Sequence, residues 1–289
     1  MPLQKLIFKP GINKEVTRYA AGNGWYDCDK VRFRFSLPEK IGGWARISGN
    51  TFQGVCRSLW AWITLTGAKL VGIGTHLKFY IELGGIYYDI TPIRATTTNA
   101  ATFAATDGST TITTTDNGHG AVIGDFVTFS SAASLGGVIT AAILNAEHQI
   151  VSVPTANTYT FTASIAANAS DSGNGGAATD AAYQISVGPE TVVPLIGFGA
   201  GKFGTGTFNV GSTSSVSLRQ WSQSNFGEDL VFGPRGGAPY YWDSTNSVTT
   251  RGVALSSLGG ASNTPVVQNL VFVSDINRFV FCFGTNALG

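Results

Sequence analysis

Charge is scarce in this sequence. Lys, Arg, Asp and Glu make up 12% of its 289 residues, about half the share usual in a soluble domain. A chain so weakly charged, yet 43% hydrophobic, can bury a core and is expected to hide part of its surface in an assembly. Cysteine is scarcer still. Cys28, Cys56 and Cys282 are odd in number and far apart, which excludes a disulfide framework and a CxxC metal signature and predicts reduced, buried thiols. The histidines, His76, His119 and His148, show no HxH or HExxH spacing, and no G-x-S-x-G elbow occurs. No apolar run approaches the ~20 residues that cross a bilayer. The opening MPLQKLIFKPG lacks the apolar stretch of a secretory leader. The expectation is a protein made in the cytoplasm, without stable membrane insertion. Long amphipathic helical periodicity is missing as well.

What the chain does hold is glycine, threonine and alternating strands. KVRFRFS (30–36) has a period of two. Residues 56–90 read as four short strands separated by TGA, THL and LGG, the size of one propeller blade or β-meander. From Ala95 the texture turns Thr- and Ala-rich, yet STTITTTD, DFVTFS, EHQIVSV and NTYTFTAS still alternate. This predicts a separate β domain of about six strands over 95–184, ended by a flexible return, SDSGNGGAATDAA. Host texture resumes after Ile185, and residues 264–285 read as a hairpin apolar on both faces, as for strands between neighbouring sheets. The fold expectation is all-β: a propeller-like host (1–94 and 185–289) with an inserted small sandwich or barrel (95–184). The roughly 200 residues outside the insert are short for a propeller of four or more blades, so an incomplete or reduced propeller is expected.

Candidate chemistry is thin. GFGAGKFGTG (197–206) fails as a phosphate loop: Ile196 stands where the first glycine belongs, and Phe203 follows Lys202 where Ser or Thr would hold magnesium. Gly72 and Gly74 inside a strand point to close strand packing or a bulge. Glu82, Asp89, Glu228 and Asp229 are expected to cap turns and accept backbone N–H bonds. No catalytic, cofactor-binding or metal-binding residue is predicted, and the chain is not expected to be an enzyme.

Two further features stand out. ELGGIYYDITP (82–92) and RGGAPYYWDST (235–245) repeat a glycine pair, two tyrosines and an aspartate. The glycines read as tight turns with positive φ. Tyr88, Tyr241 and Trp242 are the candidate aromatic contacts for a sugar, although packing of sheet on sheet is the commoner use. Residues 1–57 hold ten Lys/Arg against four Asp/Glu. Solvated strand faces are the commoner use of such charges; otherwise Lys30, Arg32, Arg34 and Lys40 are the candidate interface to a neighbouring subunit or adaptor, rather than the wall of a DNA channel, where strong basic contacts would hinder sliding.

The phrases MPLQKLIFKPGINKEVTRYAAGNGWYDCDKVRFR, PEKIGGWARI, CRSLWAW and LRQWSQSNFGEDLVFGPRGGAPYYWD resemble tail nozzle proteins of short-tailed bacteriophages, also called tail tubular or packaged-DNA stabilisation proteins. The resemblance covers roughly 1–94 and 186–289. The stretch GHGAVIGDFVTFSSAASLGG…NAEHQIVSVPTANTYTFT resembles small β domains of phage tail and fibre proteins. The family implies a propeller host in a ring of six copies below the portal and adaptor. It further implies contacts with tail fibre proteins, genomic DNA passing non-specifically through the channel, and location in the virion tail. It implies no catalytic residues. A glycan-binding, receptor-recognising tail module is the alternative.

Overall fold

A computed structural model describes residues 9–43, 45–46, 48–135, 137–175, 178–188 and 219–285. The chain divides into two compact units, Met1–Gly49 and Asn50–Gly289.

The first unit holds one hairpin, β1 (Val31–Arg34) and β2 (Leu37–Lys40), paired from Val31 with Lys40 to Arg34 with Leu37. The alternating pattern predicted a strand running on to Ser36. It stops at Arg34 because Phe35 and Ser36, at φ +49° and +66°, form a type I′ two-residue turn, whose left-handed central residues match the strand twist. Phe35 is thereby turned out to solvent, 88% exposed. On the other side Phe33 meets the edge of Trp25, centroids 6.1 Å apart.

The second unit begins with a four-stranded antiparallel meander, β3 (Cys56–Ile63), β4 (Lys69–Thr75), β5 (Phe79–Leu83) and β6 (Ile86–Asp89), in sequence order. Next come β7 (Ile93–Thr97), β8 (Thr102–Ala105), β9 (Thr111–Thr115), β10 (Phe126–Ser130), the one-turn helix α1 (Ala141–Leu144), β11 (Glu147–Thr155), β12 (Thr158–Thr162), β13 (Asp171–Gly175) and β14 (Asp180–Gln184). These eight strands form one sheet in the order β13-β8-β9-β12-β11-β10-β14-β7. The expected flexible return is instead two strands. Asp171 pairs with Ala105 on the β8 edge, and Ala181 and Tyr183 of β14 are fully buried. Phe103 on β8 touches Phe129 on β10, centroids 4.9 Å apart, although four strand spacings separate them, about 19 Å in a flat sheet. The sheet therefore curls over a single core, helped by register shifts along β11 at Ile150/Ser152 and Ser152/Thr155.

A second meander follows, β15 (Trp221–Phe226), β16 (Asp229–Pro234), β17 (Tyr240–Trp242) and β18 (Val253–Ala254), then a hairpin, β19 (Leu270–Val273) with β20 (Val280–Phe283). The two meanders and the hairpin stack in three layers, and strand alternation decides what meets what. Trp60 opposes Gly72, and Gly72 opposes Ile81, so these residues share the inner face of the first meander. Gln223 opposes Phe232, and Phe232 opposes Tyr240, on the facing side of the second. Phe79 stacks on Phe232 at 4.3 Å and meets Trp221 edge-on at 4.9 Å. The tryptophan N–H groups cross the seam: Trp60 donates to Asn225 Oδ1, Trp62 to the Glu228 carbonyl and Trp221 to the Thr75 carbonyl. Glycine makes this approach possible. A Cβ on Gly74 would lie 2.4 Å from Trp221 Cδ1, and one on Gly72 2.4 Å from Gln223 Oε1, which is the close packing that the Gly-x-Gly inside the strand predicted.

The far side of the second meander carries Ser222, Ser224, Val231 and Tyr241. Val231 packs with Val271 and Val273, and the Ser222 and Ser224 hydroxyls accept the N–H groups of Val271 (3.0 Å) and Val273 (3.2 Å). The fold is all-β, as expected.

Candidate functional site

The basic residues singled out in the first unit do not form one patch. Directly opposed residues of an antiparallel pair share a face. Arg32 opposite Glu39 and Arg34 opposite Leu37 lie on one face; Lys40, opposite Val31, lies on the other. Lys30 precedes β1. Arg32 Nε is 3.1 Å from Glu39 Oε2, Lys30 Nζ is 3.8 Å from Asp29 Oδ2, and Arg34 sits 5.5 Å over the Phe35 ring. All four are exposed, and exposed pairs of this kind hold one another by about 1 kcal/mol or less.

The aromatic residues of the glycine turns are spread through the stack. Tyr88, half-buried, opposes Ile81 on the face toward the second meander. Trp242 is 1% exposed, and its indole N–H donates to the Thr250 carbonyl at 3.1 Å. Tyr241 points the opposite way, toward the β19–β20 layer. Its hydroxyl donates to the Asp229 carboxylate; partial burial and that carboxylate both push its pKa up. Nor are the two glycine pairs one object built twice. Gly84 and Gly85, at φ +62° and +88°, close β5 to β6 as a two-residue turn, with Leu83 opposite Ile86. In the second copy β16 ends at Pro234 and β17 begins at Tyr240, leaving residues 235–239 as a longer loop. There Gly236 N–H donates to the Gln268 carbonyl (2.6 Å) and Gln268 N–H returns to the Gly237 carbonyl (2.9 Å). That loop is a seam to the next layer, and Gly237 is not in the left-handed region that the sequence reading assigned to it.

The carboxylates mostly serve as expected. Glu82 accepts the Gly85 N–H at 2.6 Å, Glu228 accepts the Leu65 N–H at 3.0 Å, and Asp229 accepts both the N–H and the hydroxyl of Ser244. Asp89 accepts the Thr91 N–H at 2.9 Å but does something more. Lys78, 3% exposed, places its ammonium 2.8 Å from Asp89 Oδ2, against the Glu147 carboxylate, and 4.5 Å over the Phe126 ring. Arg251 stands 3.3 Å from Asp89 Oδ2 and 3.6 Å from Glu147 Oε2, and donates to the Thr91 carbonyl at 2.7 Å. Gln184 donates to the other side of Glu147. Burial alone would raise the Asp89 pKa. Lys78 and Arg251 more than offset it, and the carboxyl is held below its ordinary value. Lys78 and Asp89 flank β5 and β6, whereas Glu147 opens β11 in the eight-stranded sheet. Neither the cluster nor the role of Lys78 was visible in sequence, because its members are spread from residue 78 to residue 251.

A second polar group lies inside the curled sheet. Asp116, 1% exposed, accepts the Tyr183 hydroxyl at 2.6 Å and the Thr97 hydroxyl, and the Tyr159 and Tyr183 hydroxyls are 3.0 Å apart. Burial pushes both tyrosine pKa values up, so both stay protonated and able to donate. His119 meets Tyr159 edge-on at 4.9 Å. His148 lies 4.1 Å from the Phe161 ring, and burial lowers its pKa. Asp116, His119, Tyr159 and Tyr183 are buried in the core of the curled sheet, and His148 is half-buried beside it.

Among the described residues no group of three or more His, Cys, Asp or Glu could hold a metal ion, and no helix is long and apolar enough to cross a membrane. The thiols are not buried as expected: Cys56 is exposed, and Cys28 and Cys282 are half-buried. The glycine-rich stretch 197–206 lies outside the described residues.

The hairpin β19–β20 departs most from expectation. Val271, Val273, Val280 and Cys282 cover the second meander. The outward face is as apolar as the inward one: Phe272, opposite Phe281, stacks on it at 5.1 Å and on Phe283 at 5.7 Å, and all three rings are at least 39% exposed. The expected neighbour on that side is not present among the described residues.

No family model matches the sequence, and no curated protein matches it. One solved structure, a phage phi92 endosialidase, is similar at a TM-score of 0.28 and 14% identity, over 77% of this chain and 31% of that one. The chain thus spans about a third of that structure's length. A likeness so slight says nothing about activity.

Proposed function

We propose that the chain is a structural component of a short-tailed phage tail, of the nozzle type. Its stacked meanders would serve as propeller-like blades, and copies of it would surround the DNA-ejection channel in a ring, expected to be of six. The outward apolar face of β19–β20 carries this reading. Three clustered, exposed phenylalanines on a regular sheet face support a surface that is covered in an assembly. The tail-nozzle phrases of the sequence supply the kind of assembly. The aromatics of the glycine turns add weight to a structural role, since Trp242 and Tyr241 are spent on holding layers together. In this reading the exposed hairpin β1–β2, with Arg32 and Arg34 on one face and Lys40 on the other, meets a neighbouring subunit or adaptor, and DNA passes without specific contact. Mass spectrometry of purified particles of the phage that encodes the chain tests the proposal. The chain should be present at a fixed stoichiometry to the portal; its absence from particles would rule the proposal out.

A further inference from the structure

We propose that the cluster of Lys78, Asp89, Glu147 and Arg251 is a lock that fixes the orientation of the eight-stranded domain on the three-layer stack. The inference goes beyond the tail assignment and does not depend on it. The chain crosses between the two bodies twice, at Pro92 and at Ile185, and the crossings lie side by side: Ile185 N–H donates to the Pro92 carbonyl at 3.0 Å, and Gln184 opposes Ile93. Two adjacent strands form a ribbon, which resists stretching far better than twisting or bending. The apolar cores do not bridge this joint. Phe103, Tyr159 and Phe161 belong to one cluster and Phe79, Trp221 and Phe232 to another, and Ile185 and Val187 already belong to the second.

The four charges supply what the ribbon lacks. Each cation holds one carboxylate from each body: Lys78 and Arg251 both bind Asp89 of the stack and Glu147 of the curled sheet. Lys78 is also seated on Phe126, and Glu147 is tied to Gln184, both in the curled sheet. Two positive and two negative charges in alternation leave no net charge to bury. Buried ion pairs add little stability over apolar contacts of the same shape, but they accept few geometries. That property suits a part whose task is to hold an angle.

The test is a distance distribution between spin labels, one on the curled sheet at Val151→Cys and one on the stack at Ile63→Cys. Both sites are more than half exposed, and the full chain would carry serine at its native cysteines. The parent should give one narrow peak. Lys78→Met and Glu147→Gln should each broaden it, while a pair within the curled sheet, Val151→Cys with Ile165→Cys, stays narrow. Lys78→Arg should restore most of the sharpness. Should Lys78→Met not fold, Glu147→Gln, at the more exposed edge of the cluster, decides. A peak that stays narrow in the variants overturns the lock. So does broadening of the internal pair, which would make the cluster a general stabiliser of the curled sheet.

Discussion

At the scale of single residues, the stack depends on glycines that no turn requires. Gly74 sits mid-strand with the Trp221 indole in the space a Cβ would need. Gly74→Val should destabilise the chain by about 1–3 kcal/mol, since the overpacked seam must part or push Trp221 off its rotamer. Gly67, in the β3–β4 turn with open space around it but φ +86°, should cost about 1 kcal/mol as Ala, from backbone strain alone. Urea unfolding of both variants checks the ranking. Two aspartates make a second pair with opposite signs. Asp89 has a lowered pKa in the fold, so its contribution is present above its unfolded value and is lost as pH falls through the folded one. The groups around it are Lys78, Arg251, Glu147, Thr91 and the Tyr80 hydroxyl. Asp125 has a raised pKa, from burial first, against hydrogen bonds from Val122 and Ser186 and the charges of Arg94 and Arg219. Its ionisation therefore opposes folding at neutral pH, and that cost is relieved by acid. Asp89→Asn should cost about 2–4 kcal/mol at pH 7 and progressively less below pH 4. Asp125→Asn should be near neutral or stabilising at pH 7. Thermal melts across pH 3–7 separate the two.

At the scale of elements, the β19–β20 hairpin is a layer finished on one side only. Phe272→Asp or Phe281→Asp should leave the monomer fold nearly unchanged, within about 1 kcal/mol, because these rings do not face the second meander. The same changes should weaken self-association, read by sedimentation. A large loss of monomer stability would mean that the face is covered from within the chain. The strands themselves were legible in the sequence. Alternation gave β9, β10 and β12, and apolar runs gave the first meander and the final hairpin. What alternation could not give was the end of β1, because Phe35 and Ser36 continue the pattern while the backbone turns left-handed beneath them. Nor could it give β13 and β14. A Gly/Ser-rich stretch reads as linker when alone, but here it finds the free edges of β8 and β10 to pair with.

At the scale of the whole molecule, the sequence signalled a change of texture near Ala95 and Gln184, and strands from Ile93 to Gln184 do share one sheet. It could not signal how that sheet is held on the stack. The Lys78 cluster joins residues 11 to 173 positions apart, and only Asp89 stands out locally, as a turn cap. The repeated glycine–tyrosine motif misled in a different way. Both copies turn between neighbouring strands of a meander, but only the first is a two-residue turn; the second is longer and meets Gln268. In the proposed reading the function rests on the assembled surface more than on any one constellation. The most direct measurement is electron microscopy of the purified full chain over a range of concentrations. Rings of cyclic symmetry, six copies around an open channel, should form and should dissolve in the Phe272→Asp variant. Monomers at every concentration, with no rings in the presence of purified portal and adaptor, would contradict that reading.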